Sequence, residues 1–367
     1  MQKRFLTTTA TTTTRPPANP YNALIPPFIR QANSVTDPQP PLPLTQPLNP
    51  QPLKDWSIAI KANIATTGSK ELDPLTSCSS NVLSRYTSPY KSTVAQLLET
   101  VGGANVIPWK ANCDEFGMGS YNIHSPAHGV VRNPLDVERV SGGSSGGSAV
   151  AVSSGDVRVA LGTDTGGSIR LPASYCGIVG FKPSYGRFSR WGVVAYASSL
   201  DTVGVLGRNV GDVESVYGVL NVRDEKDPTS LPFVGGYDGL MDKKGEEGRQ
   251  VVIGVPSHIP GMLSRDTLER YSRALQTLEG KGCKIMRVEL PYHEYALGAY
   301  YCIASAESSS NLARFDGLRY GSNSLKEEGG GGHAGLEDVR DLFGDTVKRR
   351  IMLGTFVLGS RYVLSLK

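Results

Sequence analysis

Residues 141–172 read SGGSSGGSAVAVSSGDVRVALGTDTGGSIRLP and contain two glycine-flanked serine clusters. Ser144 lies in the first cluster and Ser168 in the second, 24 residues later. Glycine lets the backbone approach a ligand closely and adopt dihedral angles that other residues avoid. N–H groups fixed in such loops stabilise an oxyanion, and a serine among them can act as a nucleophile. The apolar runs 149–152 and 157–161 predict a buried helical turn and a buried strand, so we expect a rigid core to bring the two loops together.

Two other interpretations of the clusters are a flexible linker and a phosphate-binding loop. The phosphate-loop pattern G-x-x-x-x-G-K-[ST] is absent, and no lysine follows either cluster. The linker interpretation is weakened because Asp164, Arg170 and Pro172 surround the second serine. A thiol hydrolase built on Cys176 and a histidine has no supporting cysteine motif in the sequence. A serine-based site is therefore the favoured hypothesis.

The run from Gly142 to Pro172, from GGSSGG to D-x-G-G-S-I-R-x-P, resembles the signature of the amidase signature family. The resemblance implies that Ser168 is the acyl-forming nucleophile, and that Ser144 follows a cis peptide bond and relays a proton. It also implies a lysine base on the loop after an apolar strand, which the segment WSIAIKANIATTG (56–68) supplies as Lys61. A lysine is a base only when neutral, so its pKa must be lowered by burial or nearby positive charge.

Roles are also expected for residues around these three. The backbone N–H groups of the second cluster are expected to form the oxyanion hole: Thr165, Gly166, Gly167 and Ser168 itself. Asp164 and Arg170 are expected to form a structural ion pair that shapes this loop, and Ser145 to cap a turn or support the substrate. The segment WKANCDEFGMGS (109–120) is similar to the family's N-x-D-E-F-x-M-G-S segment.

Two later segments, LARFDGLRYG (312–321) and VKRRIMLGTF (347–356), resemble the branch of the family that forms the glutaminase component of glutamyl-tRNA(Gln) amidotransferase. That resemblance implies glutamine as substrate, held by Arg350 or Arg349 and by Tyr301 or Tyr300. The implied partners are the B-type subunit of the amidotransferase, a small assembly subunit of the C or F type, and Glu-tRNA(Gln) bound through the partner. ATP and Mg would be used by the partner, with no cofactor or metal on this chain.

Composition predicts a sizeable globular domain rather than a nucleic-acid or membrane module. The chain has 367 residues, of which 39% are hydrophobic, and no run approaches the roughly 18 apolar residues of a membrane span. Residues 1–36 hold four of the 38 basic residues and none of the 34 acidic ones, so the rest of the chain has 34 of each and is neutral. Five widely spaced cysteines without a C-x-x-C motif predict reduced core thiols rather than disulfides or a zinc site.

The N-terminal region has a different composition. Residues 1–36 are basic, rich in hydroxyl side chains and free of acidic ones, which is the composition of an organelle transit peptide. Together with the resemblance to the amidotransferase branch, this composition predicts the mitochondrial form and a matrix location. A low-complexity tail is the alternative. Twelve of the 24 prolines lie at or before Pro52, which predicts an extended linker over residues 37–53 and a fold that begins near Lys54. Residues 54–367 are then the amidase signature domain.

Strand and helix patterns alternate through that domain. Ser92 is placed to cap a helix, and VVIGVP (251–256) and residues 283–290 predict strands on either side of a helix. The pattern predicts an α/β fold, and the resemblance implies an α/β/α sandwich around a large mixed, mostly parallel sheet whose C-terminal part is missing here.

The missing part holds an acidic residue that binds the substrate amino group in the family. Ala62 stands where the family's usual K-D-N has a carboxylate. A free-standing amidase and a non-catalytic scaffold therefore remain open as alternatives.

Overall fold

The computed structural model describes residues 19–29, 51–68, 72–232, 250–257, 263–316, 321 and 336–359. The chain divides into two compact units. The first comprises Met1–Pro232 and Ile303–Lys367, and the second comprises Phe233–Cys302. All residues of the two serine clusters lie in the first unit.

The strands are β1 Leu24–Ile25, β2 Phe28–Ile29, β3 Ser57–Lys61, β4 Leu72–Asp73, β5 Asn105–Ala111, β6 Arg132–Asn133, β7 Asp136–Val140, β8 Val159–Asp164, β9 Val179–Phe181, β10 Thr202–Gly207, β11 Val252–Pro256 and β12 Lys284–Val288. The helices are α1 Thr93–Thr100, α2 Gly146–Ser154, α3 Arg170–Tyr175, α4 Val210–Leu220, α5 Arg265–Gly280, α6 His293–Leu312, α7 Leu336–Asp341 and α8 Asp345–Val357. None of the helices within the described ranges is long and apolar enough to cross a membrane.

Among the described residues, the main sheet has six strands in the order β1-β5-β3-β8-β10-β9. Strand β3 is parallel to both β5 and β8. The outer pairs β1–β5, β8–β10 and β10–β9 are antiparallel. The predicted mixed α/β sheet is confirmed, with its parallel pairing concentrated at the centre rather than extending over most of the strands.

Helices cover both faces of this sheet. Because alternate residues of a strand point to opposite faces, Ile58 and Ile60 of β3 pack into one buried cluster with side chains of α1 and α4. Ala59, between them, packs into a second cluster with side chains of α2 and α3. The first unit thus has the three-layer arrangement expected from the sequence. Ser92 caps α1 as predicted, because its hydroxyl accepts a hydrogen bond from the Ala95 amide.

The predicted start of the fold near Lys54 is corrected by strand β1. Leu24 pairs with Ala111 and Ile25 with Lys110 of β5, and residues 23–25 are buried. This short apolar run completes one edge of the sheet, so part of the region interpreted as a leader belongs to the folded unit. The leader function of residues 1–36 stays a prediction, and most of the 37–53 linker lies outside the described residues.

The second unit contains the two predicted strands beyond residue 250. Strand β11 pairs in parallel with β12, from Val252 opposite Lys284 to Pro256 opposite Val288. Helix α5 connects them and is capped by Ser264, whose hydroxyl accepts from the Thr267 amide. Helix α6 begins in this unit and ends in the first.

Candidate active site

The site forms where two parallel strands of the first unit end side by side. Ile60 of β3 lies opposite Leu161 of β8, so Lys61, the last residue of β3, lies beside Gly162. Polar groups at the carboxyl ends of neighbouring parallel strands meet at one edge of a sheet, which is a common position for ligand sites in α/β folds. The ends of β3 and β8 therefore place Lys61 beside the start of the second glycine loop.

Lys61 is fully buried and holds the first serine cluster. Its Nζ donates to Ser144 Oγ at 2.7 Å and to Thr163 Oγ1 at 2.9 Å. Burial lowers the pKa of Lys61 from its ordinary value of 10.5, and nearby acidic groups only partly oppose this effect. A lysine with a lowered pKa, in contact with a serine hydroxyl, has the properties required of a general base.

The first glycine loop is shaped by close packing against the segment around Asp114. The Gly143–Ser144 peptide bond is cis, as the resemblance implied. A Cβ at Gly143 would lie 2.1 Å from Asp114 Oδ2, so the loop has no room for a side chain here. The Ser144 carbonyl accepts from the Asp114 amide at 3.2 Å. These contacts fix the backbone of Ser144 and direct its hydroxyl to Lys61.

The second glycine loop is built around the buried carboxylate of Asp164. Its Oδ1 accepts from the Gly167 amide at 2.7 Å, and its Oδ2 accepts from the Ile169 amide at 3.1 Å. The Arg170 guanidinium donates to both oxygens, each at 3.0 Å. Burial by itself raises the pKa of Asp164, but the hydrogen bonds and charge of Arg170 outweigh it, so the pKa lies below its ordinary value. The predicted Asp164–Arg170 pair is confirmed.

Ser145 joins the two loops. Its amide donates to the Ser168 carbonyl at 3.1 Å, and its hydroxyl donates to the Thr163 carbonyl at 3.1 Å. The residue is fully buried. Ser145 was expected to cap a turn or to support the substrate. Its hydroxyl bonds the Thr163 carbonyl and makes no capping hydrogen bond at the start of α2, and its role toward the substrate stays a prediction. The nucleophile candidate Ser168 is 8% exposed and is held next to the first cluster by this connection.

The structure reduces the number of candidate donors in the predicted oxyanion hole. The Gly167 N–H donates to Asp164 Oδ1 and thereby shapes the loop. We therefore remove Gly167 from the predicted oxyanion donors. Gly167 has a φ of +123°, a backbone conformation that favours glycine. Within the described residues, the amides of Gly166 and Ser168 donate no hydrogen bond to a backbone carbonyl. The oxyanion candidates are therefore Thr165, Gly166 and Ser168.

Sequence reasoning missed two polar residues beside Lys61. Thr163 accepts from Lys61 through its hydroxyl, and the Asn63 side-chain amide donates to the same hydroxyl at 3.0 Å. Thr163 lies on the same strand face as Val159 and Leu161, which are core residues. A single hydroxyl at the end of an otherwise apolar strand face was the signal that would have identified it.

The predicted glutamine-binding residues lie outside this cluster. Arg350, on α8 in the first unit, donates from Nη1 to the Tyr196 hydroxyl at 2.8 Å, whereas the neighbouring Arg349 is exposed. This contact favours Arg350 over Arg349. Tyr301 is 43% exposed on α6, in the second unit, and Tyr300 packs against it. Their role in substrate binding stays a prediction.

Neither a metal cluster nor a disulfide is found among the residues that the structure describes. They contain no group of three or more histidine, cysteine, aspartate or glutamate side chains that could hold a metal ion. Their five cysteines are all free thiols, of which Cys78, Cys113 and Cys176 are buried.

The sequence model of the Amidase family matches residues 44–366 of this chain. This match includes both serine clusters, Lys61 and α8.

Several relatives carry the name of one amidotransferase component. The chain is 45% identical over 332 residues to the mitochondrial A-type subunit of the glutamyl-tRNA(Gln) amidotransferase of Mycosarcoma maydis, covering 83% of this chain and 59% of that protein. It is 48% identical over 312 residues to the A-type subunit of the Symbiobacterium thermophilum enzyme, covering 84% of this chain and 61% of that protein. The chain thus spans about three fifths of the length of these relatives.

A solved structure gives the same comparison in three dimensions. The crystal structure of the A-type subunit of glutamyl-tRNA(Gln) amidotransferase from Thermotoga maritima matches with a TM-score of 0.66 and 37% sequence identity. The match covers 95% of this chain and 66% of that one. The α/β architecture described above is therefore shared with this protein.

Proposed function

Because this chain belongs to the amidase family, we propose that it is the glutaminase component of a glutamyl-tRNA(Gln) amidotransferase. One observation carries the catalytic part of the proposal: a fully buried lysine, its pKa lowered by burial, donates a 2.7 Å hydrogen bond to Ser144 in the loop that is joined to Ser168. The relatives named as the A-type subunit, at 45% and 48% identity, support the choice of reaction.

In the proposed mechanism, Ser144 relays a proton between Ser168 and Lys61 and later from Lys61 to the leaving nitrogen. Ser168 Oγ attacks the carboxamide carbon of glutamine, its proton passes to Ser144 Oγ, and the Ser144 proton passes to neutral Lys61. The proton then returns by the same route to the leaving nitrogen, so that the C–N bond breaks and ammonia departs. A water molecule next attacks the acyl-enzyme with Lys61 again as the base, releasing glutamate and restoring Ser168.

The negative charge that develops on the carbonyl oxygen requires fixed donors. We assign it to the N–H groups of Thr165, Gly166 and Ser168, because Gly167 is engaged by Asp164. One such donor contributes roughly 2.7–4 kcal/mol to the transition state in a comparable protease. The Asp164–Arg170 pair has a supporting role: it holds the loop so that these donors are set before the reaction starts.

Substrate recognition is assigned to residues outside the nucleophile loops. A planar guanidinium suits bidentate binding of a carboxylate, so we assign the α-carboxylate of glutamine to Arg350. A role of Tyr301 in substrate binding is proposed on the resemblance alone.

The remaining assignments concern the complex. Ammonia would pass to a B-type partner, with a small component of the C or F type assisting assembly. That partner would use ATP and Mg to amidate Glu-tRNA(Gln), so this chain would need no cofactor of its own. The composition of residues 1–36 and the relatives named as mitochondrial support a mitochondrial location, with the matrix as the proposed compartment.

The test is glutamine-dependent ammonia release by the chain co-expressed with its partner subunits. We expect Ser168→Ala and Lys61→Ala each to lower the rate by at least about 10³-fold, because each removes a member of one proton path. Ser148→Ala is the matched control, since Ser148 is buried in α2 and its hydroxyl donates to the Leu161 carbonyl rather than to the relay. It should retain most of the activity.

A non-catalytic scaffold is the second candidate, and one observation favours it. Ala62 occupies the position of the family's usual carboxylate, and its side chain packs with Ile25 and Cys113. If the wild-type chain assembles with its partners yet releases no ammonia, the glutaminase proposal is wrong and the scaffold is supported.

A further inference from the structure

Tyr196 is a buried residue that the proposed mechanism does not use. It is 3% exposed, and its backbone is held at both ends. Asp201 Oδ2 accepts from the Tyr196 amide at 2.9 Å and from the Ala197 amide at 3.1 Å. The Asn311 side-chain amide donates to the Tyr196 carbonyl at 3.1 Å. The backbone of Tyr196 is therefore fixed before any side-chain contact is considered.

The segment that carries Tyr196 runs beside the residues that follow Lys61. Val193 forms an antiparallel bridge with Ile64, and the Val194 amide donates to the Asn63 carbonyl at 2.8 Å. Asn63 in turn contacts Thr163, a partner of Lys61. Tyr196, two residues beyond Val194, is thus tied by backbone hydrogen bonds to the strand end that carries the proposed base.

The Tyr196 side chain meets α8. Arg350 Nη1 donates to the Tyr196 hydroxyl at 2.8 Å, and the guanidinium carbon lies 5.7 Å from the centre of the tyrosine ring. Helix α8 is itself anchored at its start, where Gly344 donates to Glu115 at 2.8 Å, and packs closely on α6, where a Cβ at Gly354 would lie 1.9 Å from the Ser305 carbonyl oxygen. A fixed helix and a fixed hydroxyl together restrict the guanidinium.

We infer that Tyr196 is a positioning residue, whose hydroxyl orients the Arg350 guanidinium for the carboxylate of the substrate. The inference rests on the proposed role of Arg350. A planar guanidinium binds a carboxylate bidentately only when its plane and edge are correctly placed. The hydrogen bond from Nη1 to Tyr196 fixes that plane, and the backbone contacts of Tyr196 relate it to Lys61. Tyr196 thus sets the distance between the end of the substrate that is recognised and the end that reacts.

The experiment compares Tyr196→Phe with Tyr185→Phe in the complex of the full chain with its partner subunits. Tyr185 lies in the same region, and its hydroxyl donates to the Ser198 carbonyl at 2.9 Å rather than contacting Arg350. We expect Tyr196→Phe to raise the KM for glutamine about ten-fold with kcat changed less than about two-fold, since a hydrogen bond to a charged group is lost away from the reacting atoms. Tyr185→Phe should change neither constant by more than about two-fold.

A double-mutant cycle separates positioning from general loss of packing. Tyr196→Phe should add little to the KM of Arg350→Ala, because the hydroxyl would act only through the arginine. Equal effects of Tyr196→Phe with and without Arg350 would overturn the inference, as would an unchanged KM in the single variant. Glutamine affinity in a Ser168→Ala background, measured by calorimetry, gives the same comparison without turnover.

The outcomes also distinguish this inference from the proposed function. If Arg350→Ala leaves both KM and glutamine affinity unchanged, the assignment of Arg350 is wrong and the inference falls with it. If Arg350→Ala weakens glutamine but Tyr196→Phe does not, the assignment of Arg350 stands and only the role of Tyr196 is rejected.

Discussion

Glu115 links the stability of the first unit to pH. The residue is 1% exposed. Its Oε1 accepts from the Ser80 hydroxyl at 2.5 Å, and its Oε2 accepts from the Gly344 amide at 2.8 Å, at the start of α8. Burial raises the pKa of Glu115 from 4.5 to about 7, even though these hydrogen bonds and the charge of Lys348 oppose it. The folded state therefore holds a proton that the unfolded state releases between these two values.

The sign and size of the effect follow from proton linkage. Where the folded state binds more protons than the unfolded state, the free energy of unfolding decreases as pH rises. A ten-fold difference in proton affinity corresponds to about 1.4 kcal/mol, so Glu115 should lower the free energy of unfolding by about 3 kcal/mol between pH 4.5 and about pH 7. The stabilising contribution is complete below pH 4.5 and is lost as pH passes the pKa of the folded state.

Glu115→Gln should remove this dependence, because the amide has the same shape, stays neutral and can still accept from Gly344. The variant should become more stable than the wild type as pH rises, with the difference growing by about 3 kcal/mol between pH 4.5 and pH 8. Urea denaturation followed by tryptophan fluorescence measures this, since all three tryptophans lie in the first unit: Trp56, Trp109 and Trp191.

Other buried groups titrate in the same range, among them Asp201 and Lys110, whose pKa values burial moves to about 7. Their contributions are common to both proteins and cancel in the difference. Glu214→Gln, at an exposed position on α4, controls for the loss of one negative charge. If the difference between wild type and Glu115→Gln does not change with pH, the reasoning about the buried carboxyl is refuted.

Three further predictions concern the site itself. Asp164→Asn should lower the free energy of unfolding by about 3 kcal/mol, because it removes the charge paired with Arg170 and leaves backbone donors without a carboxylate; urea denaturation measures this, and a loss below about 0.5 kcal/mol would contradict it. Lys61→Arg should abolish ammonia release because a guanidinium stays protonated. Activity retained in this variant would show that Lys61 is not the general base. Ammonia release should also decrease as pH falls, since protonation of Lys61 inactivates it, with the midpoint below the ordinary lysine pKa of 10.5; a midpoint at or above that value in a pH–rate profile would contradict the burial argument.

The two glycine loops could be predicted from the sequence because the features that shape them are local. Glycines in these loops adopt conformations that other residues rarely reach, with φ of +77° at Gly142 and +123° at Gly167. The Asp164–Arg170 pair spans only six residues, so its geometry also follows from the motif. The cap of α1 at Ser92 was predictable for the same reason, since a capping hydroxyl bonds to an amide within its own first turn.

Features that depend on distant partners could not be predicted in the same way. Strand β1 has two residues, too few for a periodic pattern, and is held by β5 about 85 residues later in the chain. The commitment of Gly167 to Asp164 depends on which side of the loop the carboxylate occupies, which residue order does not specify. The contact of Arg350 with Tyr196 joins residues 154 positions apart and belongs to no motif.

The alanine next to the proposed base changes the electrostatics of Lys61 in a direction that favours catalysis. Ala62 is fully buried and packs with Ile25 and Cys113, where the family's usual pattern has a carboxylate. A carboxylate adjacent to Lys61 would stabilise the ammonium form and raise the pKa of the lysine. Burial already lowers that pKa, and it raises the pKa of the Cys113 thiol, which keeps this neighbour neutral. The alanine that suggests a scaffold is therefore also compatible with an active enzyme. Without a carboxylate at position 62, one group that would raise the pKa of Lys61 is absent, and burial lowers this pKa with less opposition. Ala62→Asp should raise the pKa of Lys61 and move the pH–rate profile of ammonia release to higher pH; an unchanged profile would show that residue 62 does not act on the base.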